Sequence, residues 1–138
     1  MKSQLTDSLS GVASFGVYFL GSMVLLLVFC AIYMAVTPYN EIKLIREEGK
    51  TAPAISFGGA VLGFTLPMAS AISHSVSFLD MVIWSVVAMV VQILTFVLIR
   101  LSFPAFIKAI TEDKNGAAAV VAILSMAAGI INAASMTY

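Results

Sequence analysis

Four stretches of roughly twenty uncharged, mostly apolar residues constrain this chain more than any other feature. They run about Phe15–Val36, Ala52–His74, Leu79–Leu101 and Gly116–Thr137. A helix of that length crosses a hydrocarbon layer of about 30 Å with its backbone hydrogen bonds satisfied internally. The central turns of the first three stretches contain no Asp, Glu, Lys or Arg, and the fourth contains none anywhere. The first apolar run exceeds the core of a cleaved signal peptide, so it is expected to be retained as a span.

Composition supports the same reading. Hydrophobic residues make up 61% of the 138 residues, charged residues 10%, and the mean hydropathy is +1.06. Soluble domains carry roughly 25% charged residues, so this chain lacks the polar surface for water. A soluble globular enzyme and a disordered tail are excluded. Seven basic and seven acidic residues give no net charge, so there is no basic field to attract nucleic acid. One cysteine, Cys30, cannot form an internal disulfide or a cysteine zinc site.

The positive charges set an orientation. Lys43, Arg46 and Lys50 follow the first span; Arg100, Lys108 and Lys114 follow the third. Only Lys2 lies elsewhere. Both charged links are therefore expected in the cytoplasm, with both termini and the Ser75–Phe78 turn outside. Each link reads as a short amphipathic interfacial helix. In the first, Thr37 is the expected N-cap, Pro38 the first helical residue, and Tyr39, Ile42 and Ile45 the apolar face. In the second, Phe103, Phe106, Ile107 and Ile110 form the stripe. Lys43, Arg46, Lys108 and Lys114 make a candidate cytoplasmic surface, for a solvated linker or for a partner.

The chain also reads as two parallel helical-hairpin repeats, about residues 15–74 and 79–137, within one membrane domain. Each has a long span, a proline, an amphipathic link and a span rich in small residues. Spans two and four carry Gly59, Gly63, Ser125, Gly129 and Ala133 at small-xxx-small spacing. Such residues let helices associate by close backbone approach. They are expected to bring those two spans together, either within a copy or between copies of a homo-oligomer.

Few polar groups lie at depth. Ser85, Ala88, Gln92 and Thr95 form a stripe on span three; it reads as interhelical hydrogen bonding or as the lining of a pore. Pro67 frees the Gly63 carbonyl one turn earlier. The Asn132 amide is the expected replacement donor; a polar solute site at the kink is the alternative. Pro67, Gln92, Thr95 and Asn132 together are the candidate intramembrane polar site. Ser77 and Asp80 have capping-box spacing, and a His74–Asp80 pair is an alternative role for that carboxylate. Arg100 is expected to snorkel toward headgroups. No constellation of catalytic groups and no metal- or cofactor-binding pattern is visible, so no cofactor is expected.

Several segments resemble a known family. These are Thr37-Pro38-Tyr39-Asn40-Glu41 after the first span, Gly63-Phe64-Thr65-Leu66-Pro67-Met68-Ala69-Ser70-Ala71 in the second, the paired spans, and the closing Asn132-Ala133-Ala134-Ser135-Met136-Thr137-Tyr138. With them the chain resembles, over nearly its whole length, the YjfL-type bacterial inner-membrane proteins, a domain-of-unknown-function family numbered three hundred and fifty. Ser135 departs from the Cys expected in some relatives, which argues against an obligatory thiol there. The resemblance implies a four-span inner-membrane protein with no catalytic residue to transfer. Relatives encoded beside phage-shock-type membrane-stress proteins and ATP-grasp ligases imply a role in envelope stress and cytoplasmic stress proteins as partners. The leading expectation is a non-enzymatic component that acts by assembly, as a homo-oligomer or docking platform. The alternative is a small homo-oligomeric channel or transporter for ions or small polar solutes.

Overall fold

In the computed structural model, which describes residues Met1–Tyr138, the chain is all helical. The long helices are α1 (Lys2–Val36), α2 (Thr51–His74), α3 (Phe78–Ser102) and α5 (Asn115–Ser135), and a short α4 (Pro104–Thr111) joins the last two. All four long helices are long and apolar enough to cross a membrane. Three of them begin and end within about two residues of the expected spans, the usual uncertainty at helix ends. α1 does not: it starts at Lys2, and its 35 residues reach about 52 Å. No proline interrupts its first turns, so the helix runs on past the apolar segment and through Gly11.

α2 and α5 share the most extensive contact in the molecule, α3 packs against both, and α1 is the most peripheral long helix. The contacts advance in the same direction along α2 and α5, from Gly59 beside Ala122 to Gly63 beside Ser125 and Gly129. The two helices therefore run parallel. α1 is attached mainly by aromatic rings: Phe29 stacks on Phe64 of α2 with centroids 4.5 Å apart, and Tyr33 meets Phe96 of α3 at 5.2 Å. Lipid is as apolar as these side chains, so their value lies in packing and not in escape from water.

The charged ends are held by specific hydrogen bonds. Asp113 accepts from the Thr51 and Ala52 amides, both at 2.9 Å, and so caps α2 from more than sixty residues away. Lys50 Nζ donates to the Thr111 carbonyl at 2.8 Å. Arg100 donates to the Val36 carbonyl at 3.2 Å, which satisfies the end of α1; the expected snorkelling headgroup is thus engaged within the protein.

The links differ from expectation in detail. Thr37 does not cap a new helix. Its hydroxyl turns back to the Met34 and Tyr39 carbonyls at 3.1 and 3.3 Å and closes α1. Asn40 is the residue whose side chain accepts from Lys43 N, at 3.1 Å, ahead of a π-helical turn over Lys43–Glu47. In α4, Ile107 and Ile110 are buried in the protein core, leaving Phe103 exposed and Phe106 half-buried. Much of the apolar stripe expected to meet lipid is thus used internally. At the opposite end Ser77 accepts from Asp80 N at 3.1 Å, and Asp80 accepts from Val76 N at 3.2 Å, forming a reciprocal cap. His74 instead bonds the Ser70 carbonyl at 3.0 Å, so the His74–Asp80 pair does not form.

The distant cap gives a direct prediction. Asp113 has φ of 61°, a left-handed conformation that Asn tolerates and Ala does not. Asp113→Ala is expected to lower stability by about 1–3 kcal/mol, combining cap loss and backbone strain. Asp113→Asn should recover most of it, as read by thermal unfolding in detergent.

Candidate functional site

Two groups of polar residues lie inside the bundle. The first is the predicted one. Gln92 is buried, and its Nε2 donates to the Ser125 carbonyl at 2.8 Å, joining α3 to α5. The same amide lies where a Cβ on Gly63 would sit, so α2, α3 and α5 meet at this residue. Ser85 and Ala88 share its inward face, but Thr95 does not: it is half-buried and donates to the Val91 carbonyl of its own helix at 2.7 Å. Phe96 takes the inward position in its place.

Pro67 is buried in α2 with the helix continuous through it. The carbonyl it frees, that of Gly63, occupies the space a Cβ on Gly129 would fill. The α5 backbone itself therefore covers this carbonyl, in the geometry of a weak Cα–H donor. Asn132 does not supply the expected bond: its Nδ2 is buried without a partner. The α5 backbone at Gly129, one turn earlier, already lies against that carbonyl. Gly59 is held as tightly against Ala122, while Ala133 is half-buried.

Backbone, unlike a flexible side chain, cannot step aside. Gly129→Ala should therefore lower stability by about 1–3 kcal/mol through overpacking. Gly58, with nothing within 4 Å of its Cβ direction, is the control: Gly58→Ala should be neutral or slightly stabilising by the same unfolding assay.

The second group was not found from sequence. It lies at the end of the bundle that carries the charged links. Tyr33 of α1, Tyr39 and Glu41 of the first link and Ser56 of α2 bring five oxygens together, each buried and without a hydrogen-bond partner: both phenol oxygens, both carboxylate oxygens and the Ser56 Oγ. The turn at Thr37–Tyr39 tucks Tyr39 and Glu41 back beneath α1, and the Ser56 hydroxyl lies beside both phenols. Hydroxyls elsewhere in the long helices, on Ser22, Thr65 and Ser135, donate to the carbonyl four residues back. That of Ser56 does not. Glu41 is only 2% exposed and has no ion-pair partner; the only ion pairs are Lys50–Glu48 and Lys114–Glu112.

Burial raises the Glu41 carboxyl above the ordinary carboxylate range, although the nearby Thr37 hydroxyl and the residue's own amide work against the rise. Burial likewise pushes the Tyr39 phenol up to about 12, opposed by Ser56 and reinforced by Glu41. A surface hollow of about 500 Å³, lined in part by Met34, Thr37, Tyr39, Glu41 and Ile42, lies beside this group. Such an arrangement can hold a proton or a cation. The only sequence signal for it was Glu41 itself, a carboxylate two residues from an aromatic at the edge of a span.

The raised carboxyl has a sign that can be tested. The folded state binds the Glu41 proton more tightly than the unfolded chain does. Stability is therefore greatest in acid and falls as pH rises from the unfolded carboxyl value to the raised one. Melting curves between about pH 4 and pH 8 should show that fall in the parent protein and a smaller one in Glu41→Gln, whose side chain never ionises.

Lys43, Arg46, Lys108 and Lys114 are all exposed at this same end. Lys114 pairs with Glu112 at 3.3 Å, while Lys43, Arg46 and Lys108 form no ion pair.

Four long apolar helices and a core of small-residue contacts and sparse hydrogen bonds define a small multi-span membrane protein. Residues 7–136 match the family model described as Domain of Unknown Function (DUF350), and the chain belongs to that family. It is similar to the UPF0719 inner membrane protein YjfL of Escherichia coli strain K12, with 35% identity over 130 residues, covering 94% of this chain and 98% of the relative. The protein of the same description from Escherichia coli O157:H7 matches equally well. No solved structure matches.

Proposed function

We propose that this chain is a non-enzymatic inner-membrane protein that works by assembling with copies of itself into a docking platform. One observation carries the reading. Beyond Phe15, which with Tyr18 borders a small hollow against Ile72, α1 continues toward its N-terminus with every residue exposed. Lys2–Ser14 thus projects about 20 Å past the bundle. Leu5, Leu9 and Val12, which are 62, 61 and 67% exposed, lie along one face of this projection. A free helix of that length is marginal in water, and its apolar face needs a cover. The projection is continuous with the spanning part of α1, so it stands away from the lipid surface. The same helix of a neighbouring copy is the cover at the right height.

The inner-membrane location rests on the descriptions of the Escherichia coli relatives. The concentration of Lys and Arg at the link end supports a cytoplasmic position for the links and an outer position for both termini. In this reading the recurring order of long helix, short connection and small-residue helix reflects an internal repeat. The unpaired Lys43, Arg46 and Lys108 offer acidic cytoplasmic partners, such as membrane-stress proteins, a docking face. The links' remaining exposed apolar residues, Ile42 and Phe103, rest at the membrane interface. A channel is less well supported: Gln92 is committed to Ser125 and Thr95 to its own helix, so any polar path would have to run between copies.

Cysteine cross-linking tests assembly in membranes, in a background with Cys30 replaced by Ala. Leu9→Cys should form covalent dimers, and Asp7→Cys, on the opposite side of the helix, should not. A monomeric mass in native detergent, with equal or absent cross-linking at both positions, would overturn the platform reading.

A further inference from the structure

We propose that Tyr33, Tyr39, Glu41 and Ser56 form a binding site for one monovalent alkali cation between α1, the first link and α2. Five side-chain oxygens lie buried there with no partner in the chain. An unmatched buried polar group costs several kcal/mol, and such groups in native proteins point to a bound water or ion. Here the orphans converge on one place, and two of them belong to a carboxylate that no lysine or arginine neutralises.

The donor set selects the ion. All five atoms are hard oxygen donors, which disfavours the softer transition metals. No three His, Cys, Asp or Glu side chains cluster anywhere in the chain. A divalent calcium site gathers several carboxylates and six to eight oxygens, whereas this one offers a single negative charge. One carboxylate balances one monovalent cation. The hydroxyls of Tyr33, Tyr39 and Ser56 can rotate their hydrogens outward and turn lone pairs to the ion. The hollow beside Thr37 and Glu41 brings the surface of the link end close to the site. The site does not depend on whether copies assemble, and its readout is separate from cross-linking of α1.

Thermal unfolding of the purified protein in lipid nanodiscs tests the site. Sodium, potassium and N-methylglucamine chlorides, the three monovalent salts, are compared at equal ionic strength, with magnesium and calcium chlorides run beside them. The expected result is a saturable rise in Tm with sodium or potassium over N-methylglucamine. That rise should be lost in Glu41→Gln, and the apparent affinity should fall about tenfold in Tyr33→Phe and Ser56→Ala, the size of one lost ligand at about 1.4 kcal/mol. The two hydroxyl variants keep the test readable if Glu41→Gln does not fold. Identical melting in all three salts, an undiminished sodium or potassium response in the variants, or a response to magnesium or calcium alone would each overturn the proposal.

Discussion

The backbone-to-backbone approach of α2 and α5 is the constraint on which the rest of the bundle depends. In lipid there is no hydrophobic force to push helices together, so contact must come from surfaces that fit closely. Gly59, Gly63 and Gly129 remove the side chains that would hold the two helices apart. Once they meet, the Gln92 amide is positioned to reach across from α3 to the Ser125 carbonyl. α1 then finds a wall of Phe64 and Phe96 on which Phe29 and Tyr33 can pack.

A second level of order lies at the link end. There three helix termini are satisfied by residues from another part of the chain: Asp113 on the start of α2, Lys50 on the end of α4, Arg100 on the end of α1. Charged residues that look like ordinary loop composition are therefore structural, tying the two links together. Among the basic residues of the links, Lys43, Arg46 and Lys108 neither cap nor pair and so remain available on the surface.

The spans, the close approach of the small-residue helices and the inward face carrying Gln92 could be read from sequence because length, side-chain size and helical period determine them. The length of α1 could not, because apolarity marks the membrane part of a helix and is silent about its polar continuation. The role of Asn132 was misjudged because a freed carbonyl was assumed to need a side-chain donor, when close packing let backbone cover it. Thr37 closes α1 and does not open the link helix, because its hydroxyl can serve either side of a turn and only the direction of the turn decides between them. The Tyr33–Glu41–Ser56 group was invisible for a simpler reason. Its members are dispersed along the chain with no common spacing, and a tight turn brings them together.

The Gly63 carbonyl carries a consequence for how the protein is made. It is exposed by Pro67 on α2, yet the residue that covers it, Gly129, is synthesised dozens of residues later. During insertion α2 therefore enters the bilayer incomplete, with a polar group facing hydrocarbon until the last helix arrives. The nascent chain must wait for its own C-terminal end, beside the insertion machinery or a companion helix, before its second span can settle in lipid.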